Sequence, residues 1–374
     1  MPASRFRRIA IETVIVTGLA AGPAWGRCTA RQEMRGQCMR TAYFYKPPAD
    51  GSSARFIAHH FDLIFLTHHD EPYLRRLRAR GYRGLILENL GASEAGGPGP
   101  YRYPPASCDA SYIPFGRTVT FAPGIFCRVV NRHESWFLHN RRGQRIYNGY
   151  RSPLTGWRTT YAMNPASRGW RRFVIAQLRP YRRRGFNGFF LDDLWLSRYG
   201  LRKQGPDADG LREFHTRAEL QRAMAGYLRA LRRAYPHTPI WANLTNDPYR
   251  AGSWRRYLPY LNGVMVENFA LGWANYALPA AAARAQAANI RGALRAGKSV
   301  LLVAQGRRRQ KRRRARAVRA FWRLARLPYA RGRIYFRYAD ADVAAYRNVW
   351  WLKAYGHGPA QRRARTPPRR SAHD

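Results

Sequence analysis

Several acidic side chains in this chain of 374 residues stand directly after short apolar runs. Asp192 and Asp193 follow Phe189-Phe190-Leu191, and Glu267 and Asn268 follow Val264-Met265-Val266. Glu88 and Asn89 follow Leu85-Ile86-Leu87, Asn243 follows Ile240-Trp241-Ala242, and Asp340 closes the run that begins at Arg333. The chain holds only 21 Asp and Glu against 67 Lys and Arg, and a buried acid costs free energy unless it is paired. Acids gathered at such positions therefore point to chemistry. Two carboxylates facing one cleft can hydrolyse a glycosidic bond. One stays ionised as nucleophile, or as base towards water, and the other is held protonated and gives its proton to the leaving oxygen. Asp192 is expected in the first role and Glu267 in the second, with the reverse assignment open. Glu88, Asp193, Trp195, Trp241, Asn243, Asn268 and Asp340 are expected to line the substrate groove, where aromatic rings suit the flat faces of sugars.

The same residues have plainer readings. Asp192 or Asp193 could cap a following helix, and Glu88 could pair with one of the many arginines. His68-His69-Asp70 suggests a metal at first sight, but Asp70-Glu71-Pro72 reads better as a helix start. Nucleophilic serine chemistry lacks its G-x-S-x-G turn. No metal or organic cofactor is expected.

Side chains so placed need rigid strands behind them. Eight short apolar runs recur, at 41–46, 62–68, 84–91, 188–193, 240–246, 263–269, 299–306 and 333–340. Most lack a strict polar alternation, as strands buried on both faces do. Helical patterns lie between most of them: Trp170, Phe173, Val174, Leu178 and Tyr181 after a cap at Asn164-Pro165; Leu220, Met224, Tyr227, Leu228 and Leu231; Ala280 to Ala296; and Ala315 to Leu327. Eight strands alternating with helices predict an α/β fold, a (β/α)8 TIM barrel. A doubly wound open sheet is the alternative, weakened by the lack of a glycine-rich phosphate loop. Barrel active sites form at the C-terminal strand ends, where these acids stand. A long insertion separates strands 3 and 4, a flap over about 92–160, with a hairpin expected to turn at Arg142-Gly143. The barrel is expected over 40–360, and a basic tail over 361–374 reads as disordered.

The formal charge of +46 would attract anionic partners. All but five of the basic residues are arginine and they are spread along the chain, which also fits a general preference for arginine. The one dense run, 307–316, is a candidate site for an anionic polymer; no specific nucleic acid is expected, since no recognition motif stands beside it. Arg5, Arg7 and Arg8 followed by a mostly apolar stretch from Ile9 to Ala21 read as an export signal over 1–26. A secreted or periplasmic protein follows from that, with no stable membrane span. Four cysteines, 28, 38, 108 and 127, suggest disulfides in such a compartment, with three connectivities open.

The stretch GFNGFFLDDLW (185–195) resembles the GFDGVFLD-type strand of barrel glycosidases, with Asn187 in place of the first aspartate. WFLHNRRGQRIYNG, YAMNPASRGWRRFV, WANLTND, GVMVENFA and YRNVWWLKAYGHGP are similar to the family called hypothetical glycosyl hydrolase 15, itself distantly similar to endo-α-1,4-polygalactosaminidase barrels. The resemblance spans roughly 40–360 in scattered motifs. It implies a barrel, a polysaccharide or oligosaccharide substrate, and roles for Asp192 and Glu267. A non-catalytic carbohydrate-binding or anionic-polymer-binding barrel is the alternative function.

Overall fold

The computed structural model describes residues 28, 30–44, 46–97, 125–152, 156–192, 194, 210–244, 250–271, 277–340 and 347–356. The expected export signal, the basic tail, Asp193 and Trp195 lie outside these residues.

Eight parallel strands form one sheet in the order β1 (Ala42–Tyr43), β2 (Leu63–Leu66), β3 (Leu85–Gly91), β7 (Gly188–Asp192), β8 (Ile240–Asn243), β9 (Gly263–Val266), β10 (Ser299–Gly306) and β11 (Ile334–Asp340). A bridge between Thr41 and Phe336 brings the first and last strands together and nearly closes the barrel. Each strand answers one expected apolar run, mostly shortened at its ends. Helices α2 (Ala54–His60), α3 (Glu71–Ala79), α5 (Arg168–Arg183), α6 (Arg217–Ala234), α7 (Ala280–Arg295) and α8 (Lys311–Ala325) stand between them. Short helices α1 (Ala30–Met34) and α4 (Ile125–Arg128) lie outside that alternation.

Alternation along each strand divides the apolar residues into two layers. Phe65, Phe190, Trp241, Met265, Leu301 and Tyr335 point inward and fill the barrel, in a cluster separate from the larger core under the helices. Their rings pack edge to face: Phe65 meets Phe190 at 4.7 Å and Trp241 at 6.2 Å between centroids, and Trp241 meets Tyr335 at 5.9 Å. Gly263 is needed here, because a Cβ on it would stand 2.3 Å from the Trp241 ring.

The helices carry the expected apolar stripes. Trp170, Val174, Leu178 and Tyr181 of α5 are buried, as are Leu220, Met224, Tyr227, Leu228 and Leu231 of α6. Two helix starts differ from expectation. The α5 cap is Ser167, whose hydroxyl accepts from Trp170 N at 3.3 Å. Asn164 instead forms a turn one step earlier, its side chain accepting from Ala166 N at 2.9 Å. Helix α8 begins four residues before the expected Ala315, so the second half of the arginine run is helical.

In the insertion, β4 (Glu94–Gly97), β5 (Tyr147–Ser152) and β6 (Gly156–Ala162) form a separate antiparallel sheet in the order β4-β6-β5. The expected hairpin turns at Arg142-Gly143, with His139 bridged to Arg145 and Gly143 at φ +78°. His139 Nδ1 lies 2.6 Å from Glu213 Oε1 and Nε2 lies 2.8 Å from Glu134 Oε1, which ties the hairpin to the segment before α6. Cys28 and Cys38 form a disulfide, and Cys127 is also disulfide-bonded. Among the described residues no helix is long and apolar enough to cross a membrane.

Candidate active site

The inward layer ends in polar residues on three neighbouring strands. Two positions beyond Phe190 on β7 is Asp192; two beyond Trp241 on β8 is Asn243; two beyond Met265, and one past the end of β9, is Glu267. Because side chains alternate, each polar group stands directly above its apolar neighbour on the lumen side. Apolar filling therefore forms a floor, and the polar triplet stands above it at the C-terminal ends of the strands.

Asn243, 5% exposed, connects the two acids. Its Nδ2 donates to Asp192 Oδ1 at 2.9 Å and to Glu267 Oε2 at 3.0 Å. Those two oxygens are therefore no more than about 6 Å apart, two hydrogen bonds laid end to end. Both acids are half-buried. The backbone of Glu267 is held from the other side, where Gln305 on β10 donates from Nε2 to Glu267 O at 3.0 Å. Sequence reasoning passed over Gln305, although it shares the inward parity of Leu301 and Val303 and ends an apolar run as the acids do.

The other expected site residues are distributed differently. Trp241 is 2% exposed and packed in the barrel floor, so its ring supports Asn243 from below. Asn268 is buried, and its Oδ1 accepts from Gln286 Nε2 of α7 at 3.3 Å, on the helix side of the barrel. Asp340 ends β11 on the parity of Phe336 and Tyr338, which pack towards the helices. Asp193 and Trp195 lie outside the described residues.

Glu88 also faces the helix layer, since Leu87 and not Glu88 belongs to the barrel interior. It is fully buried, and its partner is a histidine rather than an arginine. Oε1 accepts from His68 N at 2.9 Å and lies 2.8 Å from His68 Nδ1. The His68 ring is stacked on Tyr181 at 4.9 Å. Burial pushes the Glu88 carboxyl well above its ordinary range and pulls the His68 imidazole down to about 4. Both favour their neutral forms. The lumen position on β3 belongs to Asn89, fully buried, with no partner for either amide atom among the described residues.

Asn187, the departure from the GFDG form, has a defined task at the other end of β7. Its Oδ1 accepts from Ile86 N at 2.8 Å and Arg78 Nη2 at 2.6 Å, which fixes the entry of β7 beside β3. Among the described residues no group of three or more His, Cys, Asp or Glu is arranged to hold a metal ion.

A parallel (β/α)8 barrel with two neighbouring carboxylates at its C-terminal strand ends has an arrangement that suits glycoside hydrolysis, among the reactions this fold hosts. The chain belongs to hypothetical glycosyl hydrolase family 15, whose sequence model matches residues 115–349, a stretch that contains Asp192, Asn243, Glu267 and Gln305. Among solved structures, it is similar to the glycoside hydrolase domain of PelA from Pseudomonas aeruginosa, with 18% identity and a TM-score of 0.48 over 83% of this chain and 99% of that one. It is also similar to Ega3 from Aspergillus fumigatus, solved with galactosamine, with 10% identity and a TM-score of 0.46 over 85% and 96%. These similarities concern the path of the chain, and no residue role follows from them. No curated protein sequence matches.

Proposed function

We propose that the chain hydrolyses glycosidic bonds of a polysaccharide with retention of configuration, Asp192 acting as nucleophile and Glu267 as acid and then base. The supporting observation is the single amide of Asn243 shared by both carboxylates. Retaining enzymes hold their two carboxyl groups at about 5 to 5.5 Å and inverting ones at about 6.5 to 9.5 Å, to leave room for water. A limit of about 6 Å between the bridged oxygens favours the first class.

In the first step Asp192 attacks the anomeric carbon while Glu267 protonates the departing glycosidic oxygen. In the second, Glu267 takes a proton from water, which attacks the same carbon and releases Asp192. Asn243 keeps both acids in reach of one bond, and Gln305 fixes the backbone from which Glu267 projects. No metal or organic cofactor takes part in this scheme.

The reading extends to a single barrel over 40–360 with its flap at about 92–160, and to export from the cell. The disulfide between Cys28 and Cys38 supports an oxidising compartment. The test is to incubate the protein with a panel of polysaccharides and follow the first product by proton NMR. Fresh product should have the anomeric configuration of the substrate, and Asp192→Asn and Glu267→Gln should each abolish turnover. An inverted product, or full activity in either variant, would remove this assignment.

A further inference from the structure

Resting on that reading, we infer that the substrate is an anionic polysaccharide, held through its carboxylate or sulfate groups by the arginine run at the rim of the barrel mouth. The run follows directly on the last residue of β10, Gly306. On the neighbouring strand Val266 pairs with Leu302, so Glu267 lies level with Val303. Arg307 is four residues further along, about 13 Å above Glu267 at the rise of a strand. The run and the candidate catalytic acids thus open on the same end of the barrel.

Among the described residues these side chains have no other occupation. Arg307, Arg308, Arg309, Lys311, Arg312 and Arg316 are all exposed, and none has a side-chain partner among the described residues. Helix α8 has no acid in its first turn and no side-chain cap. Cations there oppose the helix dipole, and Arg312 with Arg316 are like charges one helical turn apart on α8. Each such feature weakens the start of the helix. Helix α8 is held by Ala317, Phe321, Leu324 and Ala325, further along. A general preference for arginine accounts for isolated exposed arginines, but not for their concentration on this rim. A polymer with repeating negative charges would relieve the repulsion, and one bound along the rim leads its neutral linkages down to Asp192 and Glu267. A neutral glycan would gain nothing from the run, and a cationic one would be repelled.

The experiment uses the full chain with Glu267→Gln, so that binding is read without turnover. Polygalacturonate, neutral dextran and cationic chitosan fragments are titrated at low and moderate salt. The same titrations are made on a rim variant, Arg308→Ser with Arg309→Ser and Arg312→Ser, and on a control, Arg183→Ser with Arg229→Ser and Arg233→Ser. The control removes equal charge from exposed positions on α5 and α6, the helices on either side of β7 in the chain. Polygalacturonate should bind best and weaken about tenfold or more between about 50 and 200 mM salt. The rim variant should lose about tenfold in affinity and the control less than about twofold, with melting temperatures unchanged or raised in the rim variant. Equal losses in both variants, no preference over dextran, or tighter binding to duplex DNA than to polygalacturonate would overturn the inference. Wild-type turnover separates the two readings. Hydrolysis confined to neutral or cationic glycans sinks the anionic substrate alone, whereas anionic binding with no hydrolysis of any glycan sinks the catalytic reading alone.

Discussion

Asn243 Nδ2 donates to Glu267 Oε2 at 3.0 Å, so an amide at the end of one strand sets the carboxylate of the next. The same nitrogen reaches Asp192 at 2.9 Å, which makes Asn243 the hinge of the whole arrangement. Asn243→Ala should lower kcat by about 100-fold, the usual effect of losing one well-placed donor. Little should change in the melting temperature, since the residue bonds site groups rather than the core. Steady-state kinetics on any glycan the wild type hydrolyses, with a thermal melt alongside, checks both parts.

Gly263→Ala should affect stability and activity together. Its Cβ would enter the Trp241 ring, and that ring carries Asn243 two residues above it. Overpacking of this kind costs about 1–3 kcal/mol. A denaturant titration should show the loss, and kcat should fall in the variant even where it remains fully folded.

Glu88 and His68 give opposite pH signatures. The Glu88 carboxyl is raised in the fold above its ordinary 4.5, so the folded state binds more protons than the unfolded one above that pH. Stability from this group is complete at low pH and falls as pH rises. His68 is lowered from 6.5 to about 4, so its contribution is complete above 6.5 and lost as pH falls through that window. Glu88→Gln removes only the first effect. Its melting temperature relative to wild type should therefore rise between pH 4.5 and pH 8, and a constant difference would contradict a buried neutral acid.

Glu134 fastens the hairpin through Arg145 and His139. Chiefly by bonding to Arg145, its carboxyl is held down at about 2. The stabilisation is present above about pH 4.5 and is lost as pH falls towards 2. Glu134→Gln should leave the barrel melt nearly unchanged, because the Glu134 side chain is largely exposed and belongs to the hairpin. It should speed limited proteolysis within the hairpin at neutral pH, and the difference should vanish in acid.

The eight strands were legible because parallel strands buried on both faces read as apolar runs, and all eight runs became barrel strands. The candidate site was legible in part, through a repeated form: Phe190 then Asp192, Trp241 then Asn243, Met265 then Glu267. What an unbroken apolar run conceals is which parity faces the lumen. In LILENLG nothing distinguishes Glu88 from Asn89, and one step moves a side chain from lumen to helix layer. Asn268 was misplaced for the same reason. Trp241 shows a different limit, since an aromatic that fills a barrel and one that supports a sugar are the same residue type. Gln305 carried the right signal, but an amide drew less attention than an acid.

The seam between β1 and β11 has a consequence for how this barrel opens. Strand β1 makes two register pairs with β2 and meets β11 through the Thr41–Phe336 bridge, whereas β10 and β11 share seven pairs. Strand β8, which carries Asn243, is fifth of eight in the sheet and so lies across the ring from that seam. Amide protons of β1 should exchange with solvent through small fluctuations, while those of β8 wait for global unfolding. The barrel can breathe on one side while Asp192, Asn243 and Glu267 keep their spacing on the other.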